Sequence, residues 1–109
     1  MSQQSCLRFY MHENRKLHGI LLYEWLLENA KKHGVHGGSA FRAIAGYGRH
    51  GVLHEQHFFE LAGDLTIVVE FLLGSEDADA MFARLRKERI NLFYTRVPVE
   101  FGVLEGDDC

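Results

Sequence analysis

Three histidines, His50, His54 and His57, stand in an H-x3-H-x2-H pattern within a chain of 109 residues. On a helix that spacing would bring the imidazoles toward one face, as a zinc ion requires. Here they fall in a stretch with no clean periodicity, and no cysteine or carboxylate pattern completes a ligand set. Solvated or locally bonded histidines are the better reading. In a loop they still carry charge that changes between about pH 5 and 8. Just before them, Gly46-Tyr47-Gly48-Arg49-His50 offers another chemistry. A backbone N–H can approach an anion closely only where no Cβ intervenes, which glycines allow. The same glycines also suit a plain strand end with a bulge. His12, with Glu13, Asn14, Arg15 and Lys16, reads as a ligand-contacting loop or, more commonly, a solvated turn. There is no nucleophile elbow, no G-x4-G-K-[ST] loop and no H-E-x-x-H. The expectation is a protein that is not an enzyme.

Composition narrows the class. The formal net charge is -3, which argues against a general nucleic-acid binder with its basic face. Hydrophobic residues make up 47% and charged residues 25%, as in ordinary soluble domains. No secretory signal is evident, and no apolar run approaches the roughly 20 residues that span a bilayer. A cytoplasmic protein without membrane insertion is expected. Cys6 and Cys109 then read as two free thiols in a reducing compartment. The length suits one domain over residues 1–109.

The elements that must position these residues follow from periodicity. Residues 5–12 alternate as a strand, with Leu7, Phe9 and Met11 on one face and Cys6, Arg8, Tyr10 and His12 on the other. Glu13–His18 reads as a charged loop. A helix is expected from about Gly19 to His33, with an apolar stripe wider than a two-layer domain needs and with Gly34 ending it. Residues 38–47 read as a second strand and 46–64 mainly as a long loop, a length usually tied to function or disorder. The Phe58-Phe59 pair suggests that its far end docks or pairs. Leu65–Leu73 suits a central strand covered on both faces. Ser75 is expected to cap a second helix with Glu76 and Asp77 in its first turn, its buried stripe being Ala78, Met81, Phe82 and Leu85. Leu92–Val97 reads as a last strand, with Pro98 at its edge or end.

The order is βαββαβ. That is the α+β, ferredoxin-like sandwich: a four-stranded antiparallel sheet with two helices on one face. Tyr10, Val68 and Leu72 fall on the sheet face the helices leave bare. Apolar residues there, and the over-wide helix stripe, imply an oligomer.

Several stretches carry a resemblance. L-R-F-Y-M-H-E-N-R-K near the start, L-Y-E-W-L-L in the first helix, H-G-G-S-A-F-R-A-I-A-G-Y-G-R-H-G and H-F-F-E-L-A-G-D-L together cover nearly the whole chain. On these the chain resembles the uncharacterised PII-like proteins known as domain of unknown function 190, and more distantly the PII signalling proteins. The resemblance implies a PII-like homotrimer and a regulatory rather than catalytic role. PII chains carry G-I-T-G-M-T-V after the first helix, where Gly34-Val35-His36-Gly37-Gly38-Ser39-Ala40 stands here. They carry G-F-G-R-Q at the root of a long T-loop, where Gly46 to His50 stands here, so that 46–64 becomes a T-loop-like segment. In PII these segments help line a nucleotide cleft between subunits. By that likeness Ser39 offers its hydroxyl to a base, the backbone at Gly46, Gly48, Arg49 and His50 approaches the ligand, and Glu70 matches a carboxylate on the third strand.

The chain also departs from PII. The Gly- and Lys-rich loop T-G-x-x-G-D-G-K that holds phosphates there is missing, because Arg84–Asn91 runs straight into Leu92. Arg42, Arg49 and Arg96 remain as anion contacts. An adenine nucleotide, a different anion and no nucleotide at all stay open. The resulting expectation is a sensor that binds a small ligand between protomers and reports through 46–64 to a regulated partner such as a membrane transporter. The alternative is a trimeric metal-binding protein resembling the copper-tolerance family of the same topology, using His50, His54 and His57.

Overall fold

The computed structural model describes residues 3–47 and 65–106. Its main sheet has four antiparallel strands in the order β4-β5-β1-β6, formed by β1 (Gln4–His12), β4 (Gly38–Arg42), β5 (Thr66–Gly74) and β6 (Phe93–Val99). Two helices, α1 (Leu22–Lys32) and α2 (Ser75–Lys87), cover one face. A two-residue ribbon, β2 (Lys16–Leu17) with β3 (Ile20–Leu21), precedes α1. The fold is the ferredoxin-like α+β sandwich that the element order predicts.

Alternation decides which side each residue takes. Leu7, Phe9 and Met11 of β1 lie opposite Phe71, Val69 and Ile67 of β5, and all six are buried. Leu22, Leu26 and Ala30 from α1 and Ala78, Met81 and Leu85 from α2 close over them. Phe9 makes edge-on ring contacts with Phe71 and Phe82. Gly38 is required by crowding. A Cβ there would lie 2.6 Å from the Phe71 ring and 3.0 Å from Leu27.

Four boundaries differ from the sequence expectation. The first helix begins at Leu22 rather than Gly19, because His18 (φ 54°) and Gly19 (φ 82°) turn the chain back through the β2–β3 ribbon. Paired positive φ values match the twist of a tight hairpin. The second strand stops at Arg42, where Ala43 N–H donates to the Thr66 carbonyl at 2.8 Å. Ser75 is the first helical residue and not the cap. Gly74 occupies the cap position without a side-chain bond, and the Ser75 hydroxyl instead meets the Ser5 hydroxyl at 3.1 Å. The last strand runs to Val99, so Pro98 lies within it, as an edge strand permits. Gly34 follows α1 at φ 87°, the left-handed conformation expected of a helix-ending glycine.

Candidate functional site

The sheet face opposite the helices is organised in transverse rows. Backbone register puts Ser39 of β4 beside Glu70 of β5, Glu70 beside Arg8 of β1, and Arg8 beside Thr95 of β6. Residues directly opposite each other project to the same side, so these four form one polar row across all four strands. The row on one flank is Phe41, Val68, Tyr10 and Phe93. On the other flank are Leu72, Cys6 and Val97. Phe41 is 53% exposed, Val97 52% and Leu72 40%. No element among the described residues covers these apolar rows.

At the centre of the polar row, Arg8 Nε donates to Glu70 Oε1 at 2.8 Å. The bond to Glu70 raises the Arg8 pKa above its ordinary value, so the guanidinium is charged at any working pH. Burial pushes the neighbouring Cys6 thiol up, and the Glu70 carboxylate adds to the effect by repelling a thiolate. Cys6 is a free, half-buried cysteine. At the β6 end, the hydroxyls of Tyr10 and Thr95 lie 3.3 Å apart, and the Tyr10 and Phe93 rings are in contact at 5.3 Å. At the β4 end, Ser39 is exposed and its hydroxyl makes no hydrogen bond among the described residues.

The structure brings together some of the predicted residues and separates others. Ser39 and Glu70 are direct neighbours. Arg42 closes β4, donating through Nε to Glu13 Oε1 at 3.0 Å. Gly46 is exposed, with open space where a Cβ would stand, so packing within the chain does not demand glycine there. Arg96 lies on the other side of the sheet. It is in register with buried Leu7 and donates through Nη1 to Asp79 Oδ1 at 2.8 Å and through Nη2 to the Ser75 carbonyl at 3.2 Å. Gly48, Arg49, His50, His54, His57 and Cys109 lie outside the described residues. Among the described residues, no three His, Cys, Asp or Glu side chains gather closely enough to hold a metal ion. No helix there is long and apolar enough to cross a membrane.

Sequence reasoning passed over Arg8 and Thr95. The available signal was charge. Arg8 and Glu70 are the one Arg and the one carboxylate in β1 and β5, each with apolar or aromatic residues on both sides along its strand.

Comparison with known proteins settles the family. The model of the DUF190 family, described as "Uncharacterized ACR", matches residues 4–100. The chain belongs to the DUF190 family. A UPF0166 protein of Aquifex aeolicus (strain VF5) is 34% identical over 98 residues, covering 90% of this chain and 92% of the relative. A UPF0166 protein of Methanocaldococcus jannaschii is 28% identical over 85 residues, covering 78% of each chain. DUF190 is a family without an assigned activity, so the chemistry must be argued from the site.

Proposed function

We propose that this DUF190 protein is a PII-like regulatory homotrimer that binds a small ligand, an adenine nucleotide in the first instance, in clefts between protomers. The observation that carries the reading is the polar row Ser39-Glu70-Arg8-Thr95 flanked by apolar rows on the bare sheet face. Exposed apolar residues in rows of this kind favour burial against another surface. A polar row between them would fix the register of that contact, since an unpaired charge there is costly. The resemblance to PII supplies the number of copies, three. Ser39 stands at the β4 end of the row, and the chain leaves that strand toward Gly46, so a ligand held by both would sit where β4 meets a neighbouring protomer. Arg49 and the backbone at Gly48 and His50 would complete its surroundings, whereas Arg42, in register with buried Ile67, projects to the helix side of the sheet and is held by Glu13.

Signalling would follow from a difference in affinity. A ligand shifts the segment 46–64 only if it binds one arrangement of that segment more tightly than another. The favoured arrangement would engage or release a partner such as a membrane transporter.

Two measurements test the reading together. Light scattering should return three times the chain mass. Calorimetric titration with AMP, ADP, ATP and adenosine should find at least one saturable ligand. Arg49→Ala should weaken an anionic ligand by ~1.5–3 kcal/mol if that side chain makes a charge-assisted bond. A monomer in solution, or no response to any of the four compounds, would end the proposal.

A further inference from the structure

On the helix side of the sheet, α2 and β6 enclose a shallow cleft of about 310 Å³ lined by Asp79, Phe82, Arg86, Tyr94 and Arg96. It lies on the opposite side of the sheet from the polar row, and the reading above does not use it. Asp79, Phe82 and Arg86 share a face of α2 through their spacing of three and four, while Tyr94 and Arg96, two apart on β6, share a side of the strand. The Arg96 and Arg86 guanidinium carbons lie 5.6 Å and 5.9 Å from the Phe82 ring centre, so one ring supports two cations. Tyr94 meets the same ring edge-on at 4.8 Å.

We infer that this cleft binds a phosphate monoester carrying a flat group. Two guanidiniums face one carboxylate, which leaves one positive charge unbalanced. Arg86 has no carboxylate partner among the described residues. Arg96 is pre-oriented by the Ser75 carbonyl and already holds an anion, the Asp79 carboxylate, at 2.8 Å. That carboxylate is 71% exposed, so its bond to Arg96 is solvent-screened and cheap to exchange. A phosphate dianion in its place would balance both guanidiniums, whose planar forks fit phosphate oxygens. The half-exposed Tyr94 ring offers a stacking surface for the ester's flat group, and its hydroxyl offers one more donor. The cleft is at the small end of ligand sites, which suits a single phosphate ester rather than an extended cofactor.

The test is an amide chemical-shift titration of the full chain with phenyl phosphate at low salt, with inorganic phosphate as the second arm. Phenyl phosphate should shift the amides of Asp79, Phe82, Arg86, Tyr94 and Arg96, and bind more tightly than inorganic phosphate. Arg86→Gln, an exposed change with no hydrogen bond to lose, should weaken it by about tenfold or more, the worth of one charge-assisted bond. Asp79→Asn removes the internal competitor and should hold affinity or tighten it by up to about fivefold, the worth of an exposed ion pair. Shifts confined to Ser39, Glu70 and their neighbours would overturn this inference and leave the regulatory reading standing. Weaker binding in Asp79→Asn, unchanged binding in Arg86→Gln, or an equal response to inorganic phosphate would also overturn it.

Discussion

The two faces of the sheet come from alternate residues of the same strands, and they meet opposite fates. On the helix side, Leu7, Phe9, Val69 and Phe71 are sealed by α1 and α2. Polar groups there sit at the margins, as with Ser5 bonded to Ser75 and Arg96 on the edge strand. On the bare side, the apolar residues stay partly exposed and the polar ones run through the middle, with Arg8 and Glu70 paired on the two central strands. A polar group at the margin of a core can reach water. One in the middle of a face that becomes covered must find its partner within that face. The placement of Arg8 against Glu70 therefore suits the covering that the proposed subunit contact would bring, and the helix side shows what such a surface looks like once the chain itself covers it.

Substitutions at the two faces should separate accordingly. The largest effect is expected from Phe9→Ala, which removes a buried ring in contact with two others. Urea denaturation should show a loss of ~3–5 kcal/mol. Gly38→Ala comes next. The added methyl meets the edge of the buried Phe71 ring, which is held by Phe9 and cannot swing away. Overpacking of this kind costs ~1–3 kcal/mol. If Gly38→Ala left stability unchanged, the helix face would be looser than its contacts indicate.

Leu72→Arg probes the bare face beside these. Leu72 follows Phe71 along β5 but points the other way. As a surface change on the protomer it should move stability by no more than about 0.5 kcal/mol. In the proposed trimer it would bury three unpaired charges, so light scattering should show monomers with an unchanged circular dichroism spectrum. If Leu72→Arg assembled normally, the bare face would lie outside the subunit contact.

The strands, both helices and the bare face were legible in the sequence because period 2 and the helical stripe are local signals. The β2–β3 ribbon was not, since two-residue strands leave no periodicity, and His18 at positive φ is a residue choice that a Gly or Asn would have announced more clearly. The helix cap at Ser75 was misplaced by one residue because its hydroxyl turns to Ser5, a partner 70 positions away that no local pattern encodes. Ser39 and Glu70 stand 31 positions apart in the chain, and only the register of β4 on β5 makes them neighbours. Arg96 shows the converse. Its charge marked it as an anion contact, but its strand parity puts it in register with Leu7, on the helix side and away from Ser39.

The smallest expected effect reads the bare face through the thiol of Cys6. Cys6 flanks the Arg8–Glu70 pair, and only its thiolate reacts with iodoacetamide. Burial and the Glu70 charge both disfavour the thiolate, while Arg8 favours it. In a Cys109→Ser background, the alkylation rate should therefore rise at a higher pH than for an unstructured cysteine. Glu70→Gln should move that rise downward and Arg8→Gln should move it upward. Because the folded chain prefers the protonated thiol, this group's contribution to stability is present at neutral pH and is lost as pH climbs through the raised pKa. Opposite shifts in the two variants would mean that Cys6 senses the charges of the polar row as the geometry requires. Identical profiles would mean that solvent screens the row, and a row screened that well would not hold the register of a subunit contact.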